Sequence, residues 1–110
     1  MDDEYIIDVE DCFGKRVIFT RAKWEEKSVV HTELKSKIFL KNIKLTIQNP
    51  EEVWEDKSDK SSKRCYYKKY SANSYLKVIM WIANNPYRVV SAYEVDFIKE
   101  TKYPELKRLK

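Results

Sequence analysis

Tyr75-Leu76-Lys77-Val78-Ile79-Met80-Trp81-Ile82-Ala83-Asn84-Asn85-Pro86-Tyr87-Arg88-Val89-Val90-Ser91-Ala92-Tyr93 is the stretch whose reading decides the fold. Leu76, Val78, Met80 and Ile82 recur at period two, and Tyr75, Lys77, Ile79 and Trp81 fill the alternate positions. This is the spacing of a strand with two distinct faces. Asn84-Asn85-Pro86 breaks the pattern, because both asparagines tolerate turn conformations and Pro86 has no amide hydrogen to give to a ladder. A return strand from Tyr87 to Glu94 therefore closes a hairpin, with Ser91 and Tyr93 near its far end. A rigid sheet is a good mount for polar groups that do chemistry.

Working outward toward the N-terminus, Arg64-Cys65-Tyr66-Tyr67-Lys68-Lys69-Tyr70 reads as a strand that interleaves cations with aromatics, joined to the hairpin through Ser71-Ala72-Asn73-Ser74. Val53-Trp54 begins another strand. The polar run Glu55 to Lys63 between them is expected to be a mobile loop. Farther out, Lys35 to Ile47 places Phe39, Leu40, Ile43 and Ile47 at helical spacing, and Asn49-Pro50 ends that helix. A first helix from Arg21 toward Val30 is capped by Thr20, whose hydroxyl can accept from an unpaired amide of the first turn. Trp24, Ser28 and His31 share one side of it. Tyr5 to Val9 and Arg16 to Phe19 read as two short strands around a turn marked by Gly14, the only glycine. The tail from Asp96 to Lys110 has a break at Pro104 and no clear period, and is expected to form a short helix or a flap.

This order predicts an α+β fold in a single domain spanning 1–110. Two N-terminal helices should pack on one face of an antiparallel meander of about four strands, leaving the other face open. One domain is what 110 residues can support, with one core. Charged residues at 36% and hydrophobic ones at 43% fit a compact protein rather than a disordered chain. The net charge of +4, with a pI near 9.0, favours a polyanionic partner. No apolar run approaches membrane-spanning length and the acidic start Met1-Asp2-Asp3-Glu4 is unlike a signal peptide, so the expected setting is the cytoplasm, with no membrane partner. Cys12 and Cys65 are expected to be free thiols there.

The motifs Phe19-Thr20, Trp24, His31-Thr32-Glu33-Leu34, Ile43 with Thr46-Ile47 and Pro50, Arg64 with Tyr67-Lys68, Leu76-Lys77-Val78-Ile79 and Val89-Val90-Ser91-Ala92-Tyr93 together resemble the barnase, EndoU, colicin and RelE-like (BECR-fold) ribonuclease superfamily, and most closely its phage and mobile-element branch. The family usually has His-Pro-Glu-Leu where this chain has His-Thr-Glu-Leu, and Thr-Ala-Tyr where it has Ser-Ala-Tyr. Both changes keep the side chain with chemistry. The resemblance implies a metal-independent ribonuclease, frequently a toxin of a toxin-antitoxin or mobile-element system. Its partners would be RNA, either tRNA or mRNA, and an acidic antitoxin protein.

The residues suit that chemistry on their own terms. Cleaving RNA without a metal requires deprotonating a 2′-hydroxyl, stabilising a dianionic phosphorane and protonating a leaving oxygen. His31, the only histidine, is the candidate general acid or base. Arg64 and Lys68 are candidates to clamp the phosphate, and Ser91 to orient phosphate or His31. Tyr67, Lys69, Lys77 and Tyr93 are candidate RNA-binding residues, the tyrosines by stacking and the lysines by charge. One histidine and two isolated cysteines give no metal-ligand spacing, and no phosphate-cradling glycine loop is present, so neither a metal nor another cofactor is expected. The alternative to an enzyme is a non-catalytic RNA- or partner-binding protein on the same fold.

Overall fold

A computed structural model describes residues 5–30 and 37–110, of which 27–30 are described in backbone only. The elements run β1 (Tyr5–Glu10), β2 (Arg16–Thr20), α1 (Arg21–Val30), α2 (Lys37–Gln48), β3 (Glu52–Glu55), β4 (Lys63–Ser71), β5 (Ser74–Trp81) and β6 (Tyr87–Val95), followed by a 3-10 turn at Lys99–Lys102. All six strands belong to one sheet in the order β1-β2-β6-β5-β4-β3.

Three local expectations hold in detail. Gly14 takes φ +79 in the first turn, a left-handed conformation that glycine adopts without steric cost. Thr20 Oγ1 accepts from the Lys23 amide at 3.1 Å and caps α1. On α2, Phe39, Ile43 and Ile47 are buried, with Leu40 packed beside them.

The architecture differs from two helices on a four-stranded antiparallel meander. The sheet has six strands and is mixed, because β2 pairs with β6 in parallel through Val17 with Tyr87 and Ile18 with Arg88. This joins the N-terminal hairpin to the edge of the β3 to β6 meander. Val17, Ile18 and Phe19 are all essentially buried in succession, as in a strand covered on both faces. Among the described side chains only α2 lays an apolar stripe on the sheet. The reason is sequence spacing: Arg21-Ala22-Lys23-Trp24-Glu25-Glu26 offers one large apolar side chain, Trp24, which packs half-buried against the core.

Strand alternation divides the rest of the molecule. Toward α2 lie Val53, Tyr66, Leu76, Val78, Met80, Val89 and Ala92 in the main core. On the other face Cys65, Tyr67 and Ile98 are buried, with Trp54, Tyr75, Ile79 and Val95 around them. That second face was expected to be open. It is instead partly covered by the tail, whose Ile98 and Glu100 are buried against it. The end of the tail also lines the β3 edge. Val53 donates to the Lys110 carbonyl at 3.1 Å, Leu109 donates to the Val53 carbonyl at 2.7 Å, and Glu55 donates to the Lys107 carbonyl at 3.0 Å. A covered edge cannot template pairing with another chain.

The Glu55 to Lys63 connection is a loop built of hydrogen-bonded turns, with the Asp59 amide donating to the Asp56 carbonyl and the Ser62 and Lys63 amides to the Asp59 carbonyl. Asp56 organises it, accepting from the Ser58 amide at 3.1 Å and the Cys65 thiol at 3.3 Å, and from the Ser58 hydroxyl. Burial alone would raise the Asp56 pKa, but the hydrogen bonds from Ser58 and Cys65 outweigh it and lower the value below the usual carboxylate range. Cys12 and Cys65 are free thiols. Among the described residues no helix is long and apolar enough to cross a membrane.

Candidate functional site

Period-two alternation decides which polar groups of the sheet meet. Tyr67 on β4 stands directly opposite Lys77 on β5, and Lys77 directly opposite Tyr93 on β6. The three side chains form one row across three strands on the tail side of the sheet. Lys77 Nζ lies 5.6 Å from the Tyr67 ring centroid and 5.9 Å from that of Tyr93, within the range of cation-π attraction. Ser91, two residues before Tyr93 and opposite Ile79, shares this face and is 8% exposed.

The tail supplies the counter-charge. Glu100, on the 3-10 turn and 0% exposed, receives Lys77 Nζ at 3.3 Å and the hydroxyl proton of Tyr67. Lys77 itself is 3% exposed. Burial works against its charge, but Cys65, Glu100 and Tyr93 and the hydrogen bond to Glu100 outweigh that cost and raise the Lys77 pKa above its ordinary value. Burial first, and then the hydrogen bond to Glu100, push the Tyr67 phenol far above its usual range. Burial likewise raises the neighbouring Cys65 thiol. At neutral pH the group therefore holds an ammonium ion against Glu100, flanked by a protonated phenol and a protonated thiol.

This row opens on a cavity of about 330 Å³ lined by Tyr67, Lys77, Tyr93, Asp96, Phe97 and Lys99, among others. A second, shallower cavity of about 590 Å³ adjoins it, sharing Asp96 and Phe97 and reaching Glu52, Lys69, Tyr75 and Lys102. Lys69 Nζ stands 4.8 Å from the Tyr75 ring centroid and Lys102 Nζ 4.6 Å from that of Phe97. The tail-side face is thus a groove of aromatic rings, each with a lysine beside it.

The candidate residues divide between the two faces. Tyr67, Lys69, Lys77, Ser91 and Tyr93 share the tail side. Arg64 and Lys68 have the parity of Tyr66 and sit on the α2 side. There the Arg64 guanidinium lies 5.5 Å from the Phe13 ring centroid and 6.0 Å from that of Tyr87, and Lys68 Nζ donates to the Asn49 carbonyl at 3.0 Å. Neither joins Ser91 in one site, because residues an odd number apart on a strand point to opposite faces. His31 lies outside the described residues.

Sequence reasoning missed Glu100, Asp96, Phe97 and Lys99. Lys99-Glu100-Thr101-Lys102 reads as ordinary solvated surface, and nothing in it marks the glutamate as buried. Phe97, an isolated aromatic after the last strand, carried the only available signal. Among the described residues no three His, Cys, Asp or Glu side chains cluster as metal ligands would.

Compared with known proteins, the chain matches no family model, no curated protein and no solved structure. The resemblance to the barnase-type superfamily is one of short sequence motifs alone.

Proposed function

We propose that this protein is a metal-independent endoribonuclease that holds RNA across the tail-side face of its sheet. The observation that carries the reading is the cross-strand row Tyr67, Lys77, Tyr93, with Ser91 on the same face and a cavity beside it. Lys77 supplies a fixed positive charge for the phosphorane, and the Tyr93 and Ser91 hydroxyls supply hydrogen-bond donors. Glu100 holds the ammonium in place. His31 is the proton-transfer group, on the strength of the sequence motif alone. Arg64 and Lys68 have no part in this site. The motifs also support use as a toxin, with a net charge of +4 suited to RNA and to an acidic antitoxin.

One observation favours a second reading, a non-catalytic RNA-binding protein. Lys77 is almost wholly buried and already ion-paired, so a scissile phosphate has to share it with Glu100. The two readings separate in one experiment. Purified wild type, His31→Ala and Ser91→Ala are incubated with total RNA and tRNA in excess EDTA, alongside melting curves and growth on expression. The nuclease reading expects wild-type cleavage in chelator and a loss of about 100-fold or more in His31→Ala without a change in melting. Wild-type binding without cleavage of any of these RNAs leaves the binding protein as the function.

A further inference from the structure

The groove beside the Lys77 row contains a feature that phosphate chemistry does not need. Phe97 is a large aromatic residue, 54% exposed, on the wall shared by the two cavities. Tyr75 stands in the larger cavity with it, and Lys69 and Lys102 lie against the two rings. Carboxylates line the same space. Asp96 is exposed at the shared wall, and Glu52 lines the larger cavity while its Oε1 accepts from the Trp54 indole N–H at 2.8 Å.

We infer that the 590 Å³ cavity is a base-recognition subsite for single-stranded RNA, selecting a base that bears an exocyclic amino group. This deepens the RNA reading above and rests on it. The volume lies within the roughly 300–1,000 Å³ usual for small-ligand sites. Aromatic walls offer stacking, which any base accepts, and the lysines beside them can release their rings to meet the flanking phosphates. Asp96 and Glu52 add selection, because a carboxylate only accepts hydrogen bonds. The amino group of cytosine, adenine or guanine donates to it, whereas the corresponding edge of uracil presents a carbonyl. The two cavities are adjacent, sharing Asp96 and Phe97, so the selected nucleotide is a neighbour of the phosphate held over Lys77.

The test uses the full chain and 2′-O-methyl tetranucleotides of cytidine and of uridine, which bind but lack the 2′-hydroxyl needed for cleavage. Affinity is measured by fluorescence titration at fixed salt for wild type, Phe97→Ala, Asp96→Asn and Lys102→Gln. Wild type is expected to prefer the cytidine tetramer by about tenfold. Phe97→Ala should weaken both tetramers by about tenfold through lost stacking. Asp96→Asn should shrink the cytidine preference, since an amide both donates and accepts. Lys102→Gln should lower the salt slope by about one while leaving the preference intact. All three positions are exposed, so melting should not change.

Wild type that binds both tetramers equally overturns the amino-base selection. A Phe97→Ala protein that binds like wild type overturns the subsite while the RNA reading survives. Wild type that binds neither tetramer overturns the RNA reading, and the subsite falls with it.

Discussion

Tyr66 and Tyr67 are adjacent on β4, both fully buried, and each donates its hydroxyl to a carboxylate brought from far along the chain. Tyr66 meets Asp11 at 2.6 Å, in the turn between β1 and β2. Asp11 is otherwise satisfied by the amides of Phe13 and Lys15, each at 2.9 Å. Tyr67 meets Glu100, which is otherwise satisfied by a buried ammonium beside a cavity. The chemistry is the same, but the surroundings divide the roles. On the α2 side the tyrosine ties a hairpin turn to the core through a carboxylate that backbone amides hold in place. On the tail side it helps hold a charge where a ligand can approach, and a perturbed, charge-paired group beside a cleft marks a candidate functional site.

If that division is right, the largest effect belongs to Glu100. Glu100→Ala strands the Lys77 ammonium in the interior and should cost about 3–5 kcal/mol in urea denaturation. Replacing both partners, as Glu100→Gln with Lys77→Met, should recover most of the loss. A single variant no less stable than the double one would show that the pair carries no buried charge.

Next come the two hydroxyls. Tyr66→Phe and Tyr67→Phe should each cost about 1–3 kcal/mol, because each leaves a buried carboxylate short of a donor. Only Tyr67→Phe should also change RNA binding. Equal effects on RNA would remove the distinction between the faces.

Alkaline pH should act through the tail side first. Burial raises the Cys65 pKa, so the native chain keeps a proton that the unfolded chain releases above about 8.5. Stability is therefore whole below that pH and falls as pH rises, by about 1.4 kcal/mol per unit. Lys77, whose pKa is also raised, adds to the decline above about 10.4. Cys65→Ala should delay the first decline, and an unchanged profile would show that the thiol does not titrate differently in the two states.

The smallest effect is expected from Lys68→Ala, on the α2 side. It should change stability by less than about 0.5 kcal/mol and leave the salt dependence of RNA binding unaltered. A slope reduced by about one would carry the RNA path around to that face.

Much of the fold was legible where local rules act. Thr20 announced a helix start, and the alternation from Leu76 to Ile82 assigned both faces of β5 correctly. The unbroken Val17-Ile18-Phe19 run carried the mark of an interior strand, yet its partner lies seventy positions away and no local pattern names it. The same alternation that placed Lys77 beside Tyr67 and Tyr93 also separates Arg64 and Lys68 from them. Grouping Arg64 and Lys68 with Tyr67 by nearness in sequence overlooked the period of the strand. Glu100 was illegible for a different reason: its burial depends on where a tail without periodicity comes to rest.

The parallel contact between β2 and β6 also sets an order in time. Ile18 pairs with Arg88, so the N-terminal hairpin cannot complete its sheet until β6 exists. At synthesis rates of about 5–20 residues per second, that gap lasts roughly 4–14 s. Throughout it the Val17-Ile18-Phe19 segment presents an unpaired apolar edge of the kind that seeds aggregation. The length of time for which that edge stays bare is therefore written into the strand order.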